Sequence, residues 1–119
     1  MTSNRATFDL IRSVTMTLIT TSYQALMTSA SVGPFKYPMR ILHFVNNTNG
    51  DMMVSFDGVN DHTIITANTG VIYDLTSDED ANESFRMSTN TQAYVKYLSA
   101  PTMPDDGAFY LACVFGLGE

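Results

Sequence analysis

The tightest constraint on this chain is its punctuation. Short runs of β-branched and aromatic residues recur between Gly, Asn, Asp and Pro, and no long helical stripe interrupts them. Residues 14–20 alternate, with Val14, Met16 and Leu18 on one face and Thr15 and Thr17 on the other. Their threonine density disfavours a helix, because β-branched side chains lose rotamer freedom there. Residues 23–27 give a second short run, and 29–38 read as a loop holding Gly33, Pro34 and Pro38. Residues 40–45 form a strand, Asn49-Gly50 is a strong hairpin signal, and 52–56 return with Met52, Val54 and Phe56 on one face. Asp57-Gly58 makes the next turn. Strands over 62–66 and 71–75 follow, separated by a turn ending in Gly70. A short strand at 85–87 and an alternating one at 92–98 come next. The closing run, 108–115, is apolar on both faces, as a central strand or one packed on another subunit would be. The pattern predicts an all-β chain: one antiparallel β-sandwich or jelly-roll-like domain over 13–119, with an N-terminal arm or short helix over 1–12. The side chains expected to pack, in the core or at an interface, are Val54, Phe56, Ile64, Tyr73, Val95, Tyr97, Phe109 and Leu111. Asn49, Gly50, Asp57, Gly58 and Gly70 are expected to shape turns.

Charge narrows the partners. Charged residues are 15% of the chain, against about 25% in ordinary soluble domains, and the net charge is −6. No Lys or Arg lies between Arg40 and Arg86, where eight acids lie: Asp51, Asp57, Asp61, Asp74, Asp78, Glu79, Asp80 and Glu83. Phosphate contacts need clustered Lys and Arg, so no specific nucleic-acid partner is expected. The longest charge-free stretch, 13–35, is rich in Thr and Ser and holds Gln24, Gly33 and Pro34. It does not read as a membrane span, and the N-terminus shows no secretory pattern. Most acids fall in turns, which leaves neutral sheet faces for partners.

Chemistry-bearing residues are few. His43 sits mid-strand beside Phe44, where packing is its expected role. Asp57, Asp61 and His62 form a cluster that reads as turn chemistry, with a weak cation site as the alternative. Asp78, Asp80 and Asn82 have the opening spacing of a calcium loop. The loop then fails, with Glu83 where Gly is needed and Thr89 where Glu is needed. The single cysteine, Cys113, lies in an apolar strand, and one cysteine allows neither an internal disulfide nor a multi-cysteine zinc site. No nucleophile elbow, phosphate loop or zinc-protease motif is present. Neither enzyme activity nor a cofactor is expected.

Two stretches carry a resemblance. The first runs Ile41-Leu-His-Phe-Val-Asn-Asn-Thr-Asn-Gly-Asp-Met-Met-Val-Ser-Phe-Asp-Gly58, through Asp61-His62, to Val71-Ile-Tyr-Asp-Leu75. The second holds Thr91-Gln-Ala-Tyr-Val-Lys-Tyr97, Ala100-Pro101-Thr102 and Gly107-Ala-Phe-Tyr-Leu-Ala-Cys-Val-Phe-Gly116. Together they resemble the small β-sandwich virion proteins of tailed bacteriophages. The resemblance implies a virion structural protein, made in the host cytoplasm and assembled in multiple copies. It would dock on portal, tail or capsid proteins. The head–tail joint or tail is slightly favoured; the negative charge suits a passage for DNA and equally an outer shell. The alternatives are a capsid decoration (cement) protein, and a carbohydrate-binding sandwich at a host-contacting surface using Tyr37, Tyr73 or Tyr94 as stacking platforms.

Overall fold

The computed structural model describes residues 5–75, 87–98 and 107–117. Within them the chain is an antiparallel β-sandwich with no α-helix. In chain order the strands are β1 (Arg5–Phe8), β2 (Arg12–Thr15), β3 (Gln24–Ala25), β4 (Met27–Thr28), β5 (Met39–Thr48), β6 (Met52–Ser55), β7 (Thr63–Ile65), β8 (Thr69–Asp74), β9 (Tyr94–Tyr97) and β10 (Gly107–Leu117). One sheet is six-stranded, ordered β4-β2-β10-β5-β8, with β1 also paired to β10. The other is four-stranded, ordered β3-β9-β6-β7.

The long apolar strand β10 is central, as its two-faced hydrophobicity predicts. Phe109, Leu111, Cys113 and Phe115 point inward and are buried, while Tyr110, Ala112 and Val114 face out. The inner faces meet around Phe44, which makes edge contacts with Phe56 at 6.2 Å and Tyr73 at 6.0 Å and a tilted one with Phe109 at 6.0 Å. Each such aromatic pair adds about 0.5–1.5 kcal/mol beyond area burial. Tyr37 stacks on Phe115 at 4.3 Å and closes one end. From the opposite sheet, Met52, Val54, Ile65, Ala93 and Val95 are fully buried against this cluster.

Several elements differ from the sequence reading. The segment expected to be an arm or short helix contributes strand β1, paired with β10 from Arg5↔Leu117 to Phe8↔Val114. The run from Val14 does not continue as a strand: a 3-10 turn spans Met16–Leu18, so Leu18 is exposed and Ile19 takes the buried place. The run at 23–27 splits into β3 and β4, which belong to different sheets, with buried Leu26 at the crossing. Asn49-Gly50 turns the chain without making a hairpin, since β5 and β6 lie in opposite sheets. Buried side chains enforce that crossing. Asn46 Nδ2 donates to the carbonyls of Gly50 and Ile65 at 2.9 and 2.8 Å, and Thr48 Oγ1 donates to Asn46 Oδ1 at 2.6 Å. Gly70 lies inside β8 opposite Val45, and Asn68, at φ 57°, takes the left-handed turn position instead. Met87 forms a single bridge with Met39, while 85 and 86 lie outside the described residues.

A buried arginine ties the first strands to the following loop. Between Phe8↔Val114 and Arg12↔Leu111 the N-terminal segment advances four residues while β10 advances three. That extra residue is a bulge, and it turns Phe8 outward and Arg12 inward. Arg12 is 1% exposed. Its Nε donates to the Gly33 carbonyl at 3.0 Å, its Nη2 to the Pro34 carbonyl at 3.2 Å, and its Nη1 to the Asp9 carboxylate. Its guanidinium also lies 4.9 Å from the Phe35 ring centre.

Candidate functional site

The β6–β7 hairpin builds the densest polar cluster among the described residues. Asp57 Oδ1 accepts the backbone N–H groups of Val59 and Asn60, both at 2.8 Å, and the Ser55 hydroxyl at 2.9 Å. Asp57 Oδ2 accepts the Asn60 side-chain amide at 2.8 Å. The Ser55 hydroxyl in turn accepts Gly58 N–H at 2.9 Å. Gly58 adopts φ 77° directly over the Tyr94 ring, where an added Cβ would come within 3.3 Å. A left-handed position against an aromatic ring calls for glycine.

His62 closes this turn. Its Nδ1 accepts the Phe56 N–H at 2.9 Å, and its Nε2 stands 3.9 Å from Asp57 Oδ2. With Nδ1 used as an acceptor, Nε2 carries the proton of the neutral ring. Asp61 accepts the Tyr23 hydroxyl and lies 3.4 Å from Lys96, whose ammonium sits 4.6 Å over the Tyr23 ring. This trio ties the β6–β7 turn to β9 and to the segment before β3.

The electrostatics follow from these bonds. The Asn60 and Val59 N–H groups hold the Asp57 carboxyl well below its ordinary value of 3.8, and the Tyr23 hydroxyl and Lys96 lower that of Asp61. Tyr23 is raised by burial and by its bond to Asp61. Burial pushes the Cys113 thiol up to about 12. These groups are set as turn staples and packed side chains, not as activated bases or nucleophiles.

A carboxylate whose folded value lies below its unfolded one adds stability that is complete above the unfolded value and is lost as pH falls toward the folded one. The urea midpoint should therefore drop as pH is lowered from about 5. Asp57→Asn should flatten that drop while lowering the midpoint at neutral pH. Urea melts at pH 7, 5 and 3 check it, and a slope unchanged in the variant would refute the role of Asp57.

Asp57, Asp61 and His62 are thus neighbours, but Asp57 turns its oxygens to the turn and Asp61 turns to Tyr23 and Lys96. Among the described residues no three His, Cys, Asp or Glu side chains converge on a point that could hold a metal ion. Asp78, Asp80 and Asn82 lie outside the described residues. Of the expected packing side chains, Val54, Val95, Phe109 and Leu111 are fully buried, Tyr97 is nearly so, and Phe56 and Tyr73 pack on the core edge. Ile64, expected in the core or at an interface, lies outside the core: it is 45% exposed. The register Met52↔Ile65 and Met53↔Ile64 puts Ile65 inside and Ile64 outside. The tyrosines considered for sugar stacking are engaged internally. Tyr37 stacks on Phe115, Tyr73 shares a 2.5 Å hydroxyl hydrogen bond with Thr63, and Tyr94 underlies Gly58.

No family model, curated protein or solved structure matches the chain.

Two apolar depressions and one broad face remain. A cavity of about 240 Å³ opens between β7 and β8, lined by Leu42, Phe56, His62, Thr63, Tyr73, Leu75 and Met87. A wider groove runs along the β1–β2 bulge, lined by Phe8, Asp9, Leu10, Ile11, Ser13, Ser29 and Ala112. That groove lies on the outer face of the six-stranded sheet, which also presents His43, Ile72, Tyr110 and Val114. Phe8 is 79% exposed there, and Leu10, Ile11 and Ile72 are all more than half exposed. Sequence periodicity missed this patch because the bulge, which turns Phe8 outward, is set by pairing with a strand a hundred residues away in the chain. Among the described residues no helix is long and apolar enough to cross a membrane.

Proposed function

We propose that this chain is a structural subunit of a tailed-bacteriophage virion. It assembles in several copies and docks on other virion proteins, with the head–tail joint or tail preferred to capsid decoration. The observation that carries this reading is the outer face of the six-stranded sheet. Phe8, Leu10, Ile11, Ile72 and Tyr110 stand in water there on a sheet face with few charges. Large exposed apolar patches mark surfaces that another protein covers. Rigid antiparallel strands hold such a face ready-made, so little ordering entropy is lost on docking. The mechanism is surface burial, with the acidic turns at the sandwich ends remaining in water.

The test is the location and symmetry of the protein in purified particles. The expected result is several copies per particle, arranged as a ring on the tail axis. Copies on the capsid lattice would move the assignment to decoration. A chain that is absent from particles and strictly monomeric in solution would overturn it.

A further inference from the structure

We propose that β8 is a self-pairing edge, at which a second copy of this chain adds antiparallel about a two-fold axis through Ile72. The inference rests on the multi-copy reading above and adds the edge, the register and the partner. Among the described strands, β8 is the edge with least protection. β3 and β4 have two residues each and β7 has three. Such short edges offer little to a passing strand. β1 has four residues, whereas β8 spans six without Lys, Arg or Pro, in unbroken register with β5 from Ile41↔Asp74 to Asn46↔Thr69.

The ladder fixes which backbone groups point outward. Leu75 N–H donates to the Arg40 carbonyl at 2.8 Å, which extends the β5–β8 register by one hydrogen-bonded pair. Hydrogen-bonded and non-hydrogen-bonded pairs alternate in an antiparallel ladder. Tyr73 and Val71 therefore bond β5, and Ile72 and Gly70 turn their N–H and C=O away from it. No backbone partner for these two residues lies among the described residues.

That parity suits a two-fold. Centring on Ile72 places its N–H and C=O against those of its mate, as a hydrogen-bonded pair. On the inner face Val71 meets the mate's Tyr73, an aromatic and β-branched pair of the kind that stabilises sheets. On the outer face two Ile72 side chains, each 62% exposed alone, cover one another. Strand length selects the register. Centring on Ile72 keeps the pairing within β8, whereas centring on Asp74 would run it past the strand's end. Centring on Gly70 would run the pair into Asn68, whose φ of 57° ends the strand. The product is a continuous sheet that also joins the two outer apolar faces.

The experiment combines sedimentation of the full chain with two variants. Ile72→Pro removes an N–H that points away from β5, so the strand should survive, as edge prolines do. Dimer affinity should then fall roughly tenfold or more, by the loss of the central bonds. Ile72→Cys should cross-link to its mate under mild oxidation, because hydrogen-bonded partners stand about 5.5 Å apart, within disulfide reach. Val59→Cys, on an exposed turn away from this edge, should not cross-link, and Cys113 is buried. Should Ile72→Pro fail to fold, the cysteine comparison decides alone. An oligomer whose mass is unchanged by Ile72→Pro, with Ile72→Cys cross-linking no better than Val59→Cys, overturns this edge and leaves the multi-copy reading standing. That outcome would point to a different protein as the partner of β8. A chain monomeric in solution yet present in particles also overturns self-pairing alone. A chain monomeric and absent from particles overturns both.

Discussion

Gly107→Ala should lower the stability of the fold by about 3 kcal/mol or more. Gly107 opens β10 opposite Thr48 with φ 94°, and an added Cβ would stand 1.8 Å from the Asn47 carbonyl oxygen. Two costs combine. A non-glycine residue held at such a φ carries about 1–3 kcal/mol of strain. The clash is with backbone, so it can be relieved only by parting β10 from β5 where Phe109 pairs with Asn46. A loss of about 3 kcal/mol or more is a large share of the roughly 5–15 kcal/mol that a small domain has. Gly116→Ala is the matched control, since its Cβ would meet the flexible Arg40 side chain at 3.1 Å. That variant should stay within about 1 kcal/mol of the parent. Urea denaturation of the three proteins reads both values, and similar midpoints for the two variants would refute the argument.

Arg12→Ala should cost about as much by a different route. It leaves the Gly33 and Pro34 carbonyls without their donor, removes the counter-charge of Asp9 and empties the space above Phe35. Removing one partner of a buried ion pair typically costs about 3–5 kcal/mol. Asp9 keeps some access to water, which places the expected loss at the lower end. Arg12→Lys should recover only part of it, because an ammonium cannot reproduce three bonds set in the plane of a guanidinium. Thermal melts of both variants, with proteolysis of the 29–35 loop as a second readout, test this. An alanine variant as stable as the parent would show that the arginine contributes nothing net.

The two predictions fall where sequence reading was weakest. The strand alternation at 92–98 was legible because Ala93, Val95 and Tyr97 are buried and alternate with half-buried residues, and at 52–56 Met52 and Val54 follow it although Ser55 is buried as well. The Asp57-Gly58 turn was legible too, because an Asp side chain caps the backbone locally. Asn49-Gly50 misled for the same local reason. The dipeptide favours a tight turn, but whether that turn joins paired strands depends on Asn46 and Thr48 reaching Gly50 and Ile65. Ile64 and Ile65 are both apolar, and only the pairing with β6 decides which one faces inward. Arg12 looked like the end of a polar arm, because its partners lie twenty-one and twenty-two residues ahead. The turn cluster was legible as Asp57, Asp61 and His62, but Tyr23 and Lys96 reach Asp61 from other strands.

By itself, the sequence determined that this chain is a β-sandwich with acidic turns and sparsely charged sheets, because period-two alternation and turn chemistry are local properties of the backbone. Only the tertiary structure decided which face is left in water. Where an extra residue is accommodated between β1 and β2, and that β8 is the longest edge strand among the described residues, follow from pairings between segments far apart in the chain. Those pairings place Phe8, Leu10, Ile11 and Ile72 on the surface, and local sequence carries no record of them.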